Sequence, residues 1–156
     1  MRAVLALGSN LGDREATILE AVRRLALVDG IEVTAASTLV ETVALTPRGP
    51  DPEAPGYLNG IVLVETNLSP EQLLDAANAI EADLGRVRAH QRWADRTIDV
   101  DIVDFEAETR ESERLTIPHP RAGERVFVLA PWLSVDPQAM LAGQRVSVLL
   151  ARLEAS

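Results

Sequence analysis

Two aspartates alternate with aliphatic residues in the segment Ile98–Ile102, which reads Ile-Asp-Val-Asp-Ile. Side chains of a β-strand point alternately to its two faces, so this pattern predicts a strand with aliphatic residues on the core face and Asp99 and Asp101 on the other. The Cα atoms of the two aspartates are then roughly 6.5–7 Å apart. Such carboxylates suit one or two Mg²⁺ ions, which bind carboxylate and phosphate oxygens in phosphoryl-transfer sites. The alternative is an exposed strand face whose acids only confer solubility.

A cluster of arginines precedes this strand, consisting of Arg86, Arg88, Arg92 and Arg96. An arginine fork binds phosphate oxygens in pairs and keeps its charge, so the cluster predicts an anion-binding segment; a solvated loop is the alternative. Phosphoryl transfer mainly requires in-line positioning of the reactants and neutralisation of charge, which carboxylate-bound metal and arginines supply together. The segment from Arg86 through the strand therefore predicts a phosphoryl- or nucleotidyl-transfer centre.

The composition excludes several other classes of site. Cysteine is absent, which removes disulfides, thiolate nucleophiles, iron–sulfur clusters and Cys-rich zinc sites. All 15 basic residues are arginine, so the chain has neither a Schiff-base lysine nor a P-loop lysine. The net charge of −9 argues against a protein that coats nucleic acid.

The length and hydropathy predict one domain that spans residues 1–156. With 156 residues and 47% hydrophobic side chains, the chain can bury a self-sufficient core. No stretch approaches the roughly 20 apolar residues that cross a bilayer, and Met1 leads directly into a motif without a cleavage site. We therefore predict no membrane association and a cytoplasmic location.

The elements that must position these residues follow from hydrophobic periodicity and capping signals. The predicted elements are a strand over Ala3–Leu7, a helix after Asp13, an extended Ile31–Val40, a strand over Tyr57–Thr66, a helix from the Ser69-Pro70-Glu71-Gln72 capping box to just before Gly85, a strand over Ile98–Phe105, and helices over Val126–Leu133 and Val146–Leu153. The first six match an α+β, ferredoxin-like (split βαβ) plait, which is a mostly antiparallel sheet with helices packed on it.

The segment Pro47–Gly56 contains four prolines and two glycines. This density predicts a mobile loop without regular structure, and a lid is a better interpretation than a linker because the following strand must pair with the first half of the chain.

Several single residues have two interpretations. His119 lies in the turn Pro118-His119-Pro120 and either contacts a phosphate or caps the turn. Trp93 lies among the arginines, where stacking on a flat ligand is favoured over a core role. Trp132 is predicted to be a core residue, and Asn10 either caps the first helix, which we prefer, or presents its amide to a ligand.

These motifs, taken in order, resemble one family. The segments that carry the resemblance are Gly8-Ser9-Asn10-Leu11-Gly12-Asp13, Tyr57-Leu58-Asn59, Glu81, Gly85-Arg86-Val87-Arg88, Arg92-Trp93, Arg96 to Asp101, Pro118-His119-Pro120 and Arg125-Val126-Phe127. Each fragment is weak alone, but their ordered combination over about Val4 to Pro137 is similar to hydroxymethyldihydropterin pyrophosphokinases. The resemblance implies transfer of the β,γ-pyrophosphoryl group of ATP to 6-hydroxymethyl-7,8-dihydropterin with release of AMP, in folate biosynthesis, with two Mg²⁺ ions and ATP as co-substrate.

The resemblance also implies a role for each matching residue. The catalytic residues are Arg86, Arg96, Asp99 and Asp101, of which Asp99 and Asp101 ligate the metal. The residues near ATP are Asn78, Glu81, Arg88, Arg92, Ile102, Thr116, His119 and Arg125. The residues around the pterin are Asn10, Thr42, Val43, Leu45, Tyr57, Asn59, Trp93 and Phe127.

The sequence departs from the family pattern at two places. Ala94-Asp95 stands where Gly-Pro is usual, which puts an acid beside the arginines, and Thr42-Val43 stands where Thr-Pro is common. The Pro-rich loop that follows is also slightly longer than usual.

Two other functions fit parts of the pattern. A magnesium-dependent nucleotidyltransferase or nuclease would use the same acids and arginines, although the acidic surface opposes a polymer substrate. A non-catalytic plait module that binds a small ligand would leave Asp99, Asp101 and the arginines unexplained. For the partners we predict ATP and the pterin, no nucleic acid, no membrane, and a monomer.

Overall fold

The computed structural model describes residues 1–9, 13–42, 44–46, 49–51, 56–86, 98–106 and 108–155, with the backbone alone for 44–46, 49–51 and 86. In chain order the elements are β1 (Arg2–Ser9), α1 (Arg14–Leu27), β2 (Ile31–Ala36), β3 (Val40–Thr42), β4 (Ala44–Thr46), β5 (Gly49–Asp51), β6 (Tyr57–Thr66), α2 (Pro70–Arg86), β7 (Asp99–Phe105), β8 (Arg110–Glu111), β9 (Thr116–Ile117), a 3₁₀ turn (Ala122–Glu124), α3 (Val126–Val135), β10 (Met140–Leu141), β11 (Gln144–Arg145) and α4 (Val146–Ala155).

The central sheet has the order β2-β6-β1-β7, and each neighbouring pair is antiparallel. β3 also pairs with β6, beyond the end of β2. The first and third of these four main strands along the chain therefore lie side by side, as in a ferredoxin-like plait. The predicted α+β fold is confirmed.

One face of the sheet is covered by α1 and α2. The apolar stripe of α1, which includes Ile18 and Leu25, and that of α2, which includes Leu73 and Ile80, pack against alternate residues of the strands. We call this cluster the first core. Ile98, Val100 and Ile102 belong to it, each no more than 3% exposed, so the predicted alternation along β7 is confirmed.

The opposite face of the sheet is covered by α3 and α4. This second core contains Leu129 and Trp132 of α3, Val146 and Leu150 of α4, and strand residues such as Ile61. Trp132 is 2% exposed, which confirms its predicted core role. Nearly every position of α3 is apolar, because the helix packs on the sheet and on α4 at the same time.

The helix caps match the sequence signals. The sequence offers Asp13 as well as Asn10 as a cap of α1; Asp13 is the N-cap residue and accepts a hydrogen bond from Ala16 N–H (3.1 Å), so Asp13 is confirmed and the preference for Asn10 is wrong. At α2, Gln72 N–H donates to Ser69 Oγ (3.1 Å) and Ser69 N–H donates to Gln72 Oε1 (2.9 Å), which is a reciprocal capping box. α2 continues through Gly85 to Arg86, two residues beyond the predicted end, because this glycine does not adopt the left-handed conformation that ends many helices.

The Pro-rich segment contains regular structure, against the prediction. β4 and β5 form an antiparallel pair in which Ala44 is opposite Asp51 and Leu45 is opposite Pro50. A proline is tolerated there because a two-stranded ribbon leaves one side of each strand without a ladder partner. Residues 47–48 and 52–55, where the rest of the predicted lid falls, lie outside the described ranges.

β7 contains an irregularity opposite Val4 and Leu5. Leu5 pairs with Ile102 and Val4 with Asp104, so Val103 is an extra residue in β7. Val103 is in the second core, as the alternation from Asp99 and Asp101 requires, and the extra residue is what returns Phe105 to the first core.

Among the residues described, none of the helices combines the length and the apolar composition needed to span a bilayer.

Candidate active site

The pairing register brings three polar residues to one end of the sheet. Gly8 of β1 is opposite Asn59 of β6 and also opposite Asp99 of β7, and Ala6 is opposite Asp101. Side chains of directly opposed residues project from the same face of a sheet. Asn59, Asp99 and Asp101 therefore share the face that carries the second core, beyond the end of that core.

A cavity of about 500 Å³ lies over this end of the sheet. Its lining includes seven of the residues predicted for the site: Thr42, Tyr57, Asn59, Asp99, Asp101, Arg125 and Phe127. The two predicted metal ligands, one predicted phosphate contact and four predicted pterin contacts thus surround a single space. Its remaining lining comes mainly from β1 and from the segment that precedes α3.

Asn59 is held firmly although it lies at the end of the core. Its side chain is 8% exposed, and its Nδ2 donates to Thr42 Oγ1 (3.2 Å) and Val40 O (3.4 Å). These bonds fix the amide so that Oδ1 lies above Gly8, 3.1 Å from the point that a Cβ on Gly8 would occupy. Thr42 and Asn59 thus form a fixed pair of polar groups on the cavity wall.

The two aspartates provide oxygen ligands in the arrangement that the sequence predicts. Asp101 is exposed and Asp99 is partly exposed, both on the side of β7 that faces the cavity. Within the described ranges, no group of three or more acidic or histidine side chains could hold an ion. Magnesium commonly takes one or two carboxylates and completes its shell with water and substrate phosphate oxygens, so this pair fits it.

The start of α3 forms the opposite wall. Arg125 is the N-cap residue of this helix, and its carbonyl accepts hydrogen bonds from Val128 N–H and Leu129 N–H, both at 3.0 Å. Its guanidinium carbon lies 5.7 Å from the centroid of the Phe127 ring, a cation–π distance. A cation and an aromatic ring are thereby presented together to the cavity.

His119 caps its turn. The ring Nδ1 of His119 accepts a hydrogen bond from the backbone N–H of Arg121 (3.2 Å). The backbone N–H of His119 donates to Val103 O (2.8 Å), which ties the turn to β7. Burial lowers the pKa of His119, nearby Asp101 raises it, and Arg125 and Arg121 lower it again. The turn-capping interpretation is confirmed, and the contact with phosphate stays a prediction.

The sequence matches the family described as 7,8-dihydro-6-hydroxymethylpterin-pyrophosphokinase (HPPK) over residues 4–137. The chain belongs to the HPPK family. A 2-amino-4-hydroxy-6-hydroxymethyldihydropteridine pyrophosphokinase of Methylorubrum extorquens is 41% identical over 155 residues, covering 99% of this chain and 95% of the relative. Proteins of the same name from Bacillus subtilis (43% identical, 87% of this chain and 78% of the relative) and Haemophilus influenzae (33%, 96% and 91%) are similar as well.

Solved structures show the same fold. A Plasmodium falciparum HPPK-DHPS crystal structure superposes with a TM-score of 0.66 at 17% identity, covering 97% of this chain and 43% of that one. The structure of the A437G/K540E form of that protein with pterin and p-hydroxybenzoate superposes with a TM-score of 0.69 at 17% identity, covering 97% of this chain and 43% of that one.

Other residues predicted to contact ATP lie outside the cavity lining of this HPPK-family chain. Asn78 and Glu81 are on α2, the first exposed and the second partly exposed. Thr116 is on β9, in a hairpin with β8 that Arg110 ties to Glu71 of α2 (2.6 Å). Ile102 is 3% exposed in the first core, so its side chain does not reach the cavity.

Eight of the residues predicted for the site lie outside the described ranges or are described by their backbone alone. Asn10, Val43, Arg88, Arg92, Trp93 and Arg96 fall outside the described ranges, and only the backbone is described for Leu45 and Arg86.

Two charged residues that line the cavity, Arg121 and Glu124, were not predicted from the sequence. They form a long ion pair (3.9 Å) in which both side chains are mostly exposed. The signal available was their position between His119 and Arg125, both already predicted for the site.

Proposed function

We propose that this chain transfers the pyrophosphoryl group of ATP to the hydroxymethyl oxygen of 6-hydroxymethyl-7,8-dihydropterin and releases AMP, a step of folate biosynthesis. Membership of the HPPK family and relatives that bear this enzyme's name support the reaction. The observation that carries the proposal is the single cavity that Asp99 and Asp101, the predicted metal ligands, share with the fixed polar pair Thr42 and Asn59.

The pterin would occupy the Asn59 side of the cavity. Its flat ring bears several nitrogen donors and acceptors, and Asn59 Oδ1 lies above Gly8 as an acceptor while Nδ2 is retained by Thr42. Tyr57 and Phe127 provide aromatic faces in the same cavity, which suits stacking on a heterocycle. We assign the same role to Trp93 on the basis of the family resemblance.

The triphosphate would occupy the Asp99 and Asp101 side. Two Mg²⁺ ions bound there would neutralise charge on the phosphate oxygens and hold them for in-line attack. Arg125 faces the same space and can bind a phosphate oxygen with its fork. Arg86 and Arg96 are assigned to the transferring phosphates, and Asn78, Glu81, Arg88, Arg92, Thr116 and His119 to the rest of ATP.

We also propose that the protein acts as a cytoplasmic monomer. A net charge of −9 favours repulsion between copies and disfavours binding to nucleic acid or to anionic membranes.

Product analysis tests the reaction. Incubation with Mg²⁺-ATP and the hydroxymethyl pterin should yield AMP and the pterin diphosphate in equal amounts, and EDTA should stop it. ADP as the sole nucleotide product would contradict the proposal, because it indicates transfer of a single phosphoryl group.

A further inference from the structure

Within the described strands, Gly8 is the one residue that pairs with both halves of the site. Its backbone is opposite Asn59 on one side and opposite Asp99 on the other. Neighbouring strands are about 4.8 Å apart, so Asn59 and Asp99 are separated by about 9.5 Å with Gly8 midway between them. A side chain at position 8 would project from the same face as both of them.

The space above Gly8 is part of the cavity. A Cβ built there would lie 3.1 Å from Asn59 Oδ1 and 3.9 Å from Tyr57 Cδ1, with no atom of Asp99 among its three nearest neighbours. The first distance is shorter than ordinary van der Waals contact, so Asn59 would have to move. Asn59 is restrained by its bonds to Thr42 Oγ1 and Val40 O, and any movement strains or breaks them.

We propose that Gly8 is a positioning residue whose missing side chain keeps open the passage between the pterin and the metal-bound phosphates. The inference rests on the proposed function, which places the heterocycle at Asn59 and the triphosphate at Asp99 and Asp101. The hydroxymethyl group must then cross the space above Gly8 to reach the phosphorus atom. Glycine at this position serves the site, because the strand conformation there does not require one: its φ is not positive.

The test is Gly8→Ala, with kinetics measured separately for each substrate. The added methyl group crowds the Asn59 side, so kcat/KM for the pterin should fall at least about fivefold, which corresponds to the lower end of typical overpacking costs. The affinity for a non-hydrolysable Mg²⁺-ATP analogue, measured by calorimetry without pterin, should stay at the wild-type value. Gly85→Ala is the matched control, because a Cβ there meets nothing within 4 Å. It should leave both quantities unchanged.

A double-mutant cycle with Asn59→Ala identifies the clash. Asn59→Ala removes the atom that the new methyl group meets. Adding Gly8→Ala to the Asn59→Ala protein should therefore lower neither kcat/KM for the pterin nor the melting temperature by much. If Gly8→Ala alone fails to fold, the double variant should fold. Additive effects on kcat/KM and melting temperature, wild-type pterin kinetics in Gly8→Ala, or an equal loss of ATP-analogue affinity would each overturn the inference.

The cycle also separates this inference from the proposed function. A wild-type protein that releases no AMP from Mg²⁺-ATP and the pterin contradicts the reaction. The melting temperatures still decide whether position 8 and Asn59 are coupled, because that measurement needs no turnover.

Discussion

Three aspartates on β7 differ in what surrounds them, although they come from one short segment. Asp101 is exposed to the candidate site, whereas Asp104 lies beyond the extra residue Val103 and lines a different cavity, beside Trp132. Burial raises the pKa of Asp104, and a hydrogen bond from Phe105 N–H partly opposes it. Asp101 and Asp104 therefore form a matched pair of positions, at which the effect of a substitution on turnover can be compared with its effect on stability.

Asp101→Asn should remove turnover while the fold persists. The substitution removes the proposed metal ligand from an exposed position without disturbing either core. Loss of metal-based charge stabilisation costs several kcal/mol, so kcat should fall at least about a hundredfold. Asp104→Asn on the same strand should keep wild-type turnover. Steady-state AMP release and melting curves on both variants provide the measurement, and comparable kcat losses in the two would contradict the assignment of Asp101.

Asp104→Asn should also change the dependence of stability on pH. In the folded protein the pKa of Asp104 is above its ordinary value of 3.8. At a pH between the ordinary pKa and the raised pKa of the folded protein, the folded state retains a proton that the unfolded state has lost. The free energy of unfolding therefore decreases as pH rises through this window. Asparagine lacks this penalty, so the variant should be the more stable protein at pH 7 and the difference should vanish below about pH 3.8. Urea titrations from pH 3 to 8 measure the difference in free energy of unfolding between the two proteins. A difference that is constant over that range would contradict the raised pKa of Asp104.

Single residues were predictable from the sequence where a local pattern fixed their direction. The alternation around Asp99 and Asp101 depends only on strand geometry, and the structure confirms it. Arg121 and Glu124 were missed, because their presence in the cavity depends on how the chain returns from β9 to α3, a tertiary feature without a local signature. The Ile102 side chain follows the same alternation into the first core, as predicted, and its place near ATP stays a prediction.

At the scale of elements, capping signals were the most informative. In the capping box of α2, the backbone N–H of Ser69 donates to the side chain of Gln72, and the backbone N–H of Gln72 donates to the side chain of Ser69. In contrast, the prolines around β5 suppressed the prediction of a strand, because their effect depends on which edge of a ribbon they occupy. The end of α2 was missed for a similar reason, since a glycine ends a helix only when it turns left-handed.

Ser69→Ala should destabilise the protein by about 1 kcal/mol, because Gln72 N–H then loses its acceptor at the start of α2. Ser147→Ala is the matched control, since Ser147 lies one residue inside α4 rather than at an N-cap. Its effect should be smaller. Equilibrium urea unfolding of both variants measures the difference, and equal destabilisation would show that the capping box adds nothing to stability.

At the scale of the whole molecule, the sheet separates two cores that have different structural roles. The first core, under α1 and α2, stabilises the sheet, while the second fixes α3 against the face from which Asn59, Asp99 and Asp101 project. The sequence predicted the ferredoxin-like order but not the faces. α3 is apolar at nearly every position, and such a helix carries no stripe that indicates which surface it covers.

This division predicts that equal losses of packing have unequal effects on activity. Leu25 of α1 and Leu129 of α3 are both fully buried, in the first and second cores respectively. Truncation of either to alanine should cost about 2–5 kcal/mol of stability. Leu129 N–H bonds to the carbonyl of Arg125, so a cavity at Leu129 lets the start of α3 shift and moves Arg125 and Phe127 relative to β7. A misplacement of about 1 Å can cost about a hundredfold in rate.

Leu129→Ala should therefore lose kcat/KM by at least about tenfold at a temperature where it is still folded, since even part of that misplacement is felt in the rate. Leu25→Ala, whose cavity opens on the opposite face near the end of α1, should keep kcat/KM near the wild-type value. Kinetics at 15 °C, with circular dichroism to establish that both variants are folded there, make the comparison. Equal losses in the two variants would mean that activity follows global stability, and the second core would then have no separate part in positioning the site.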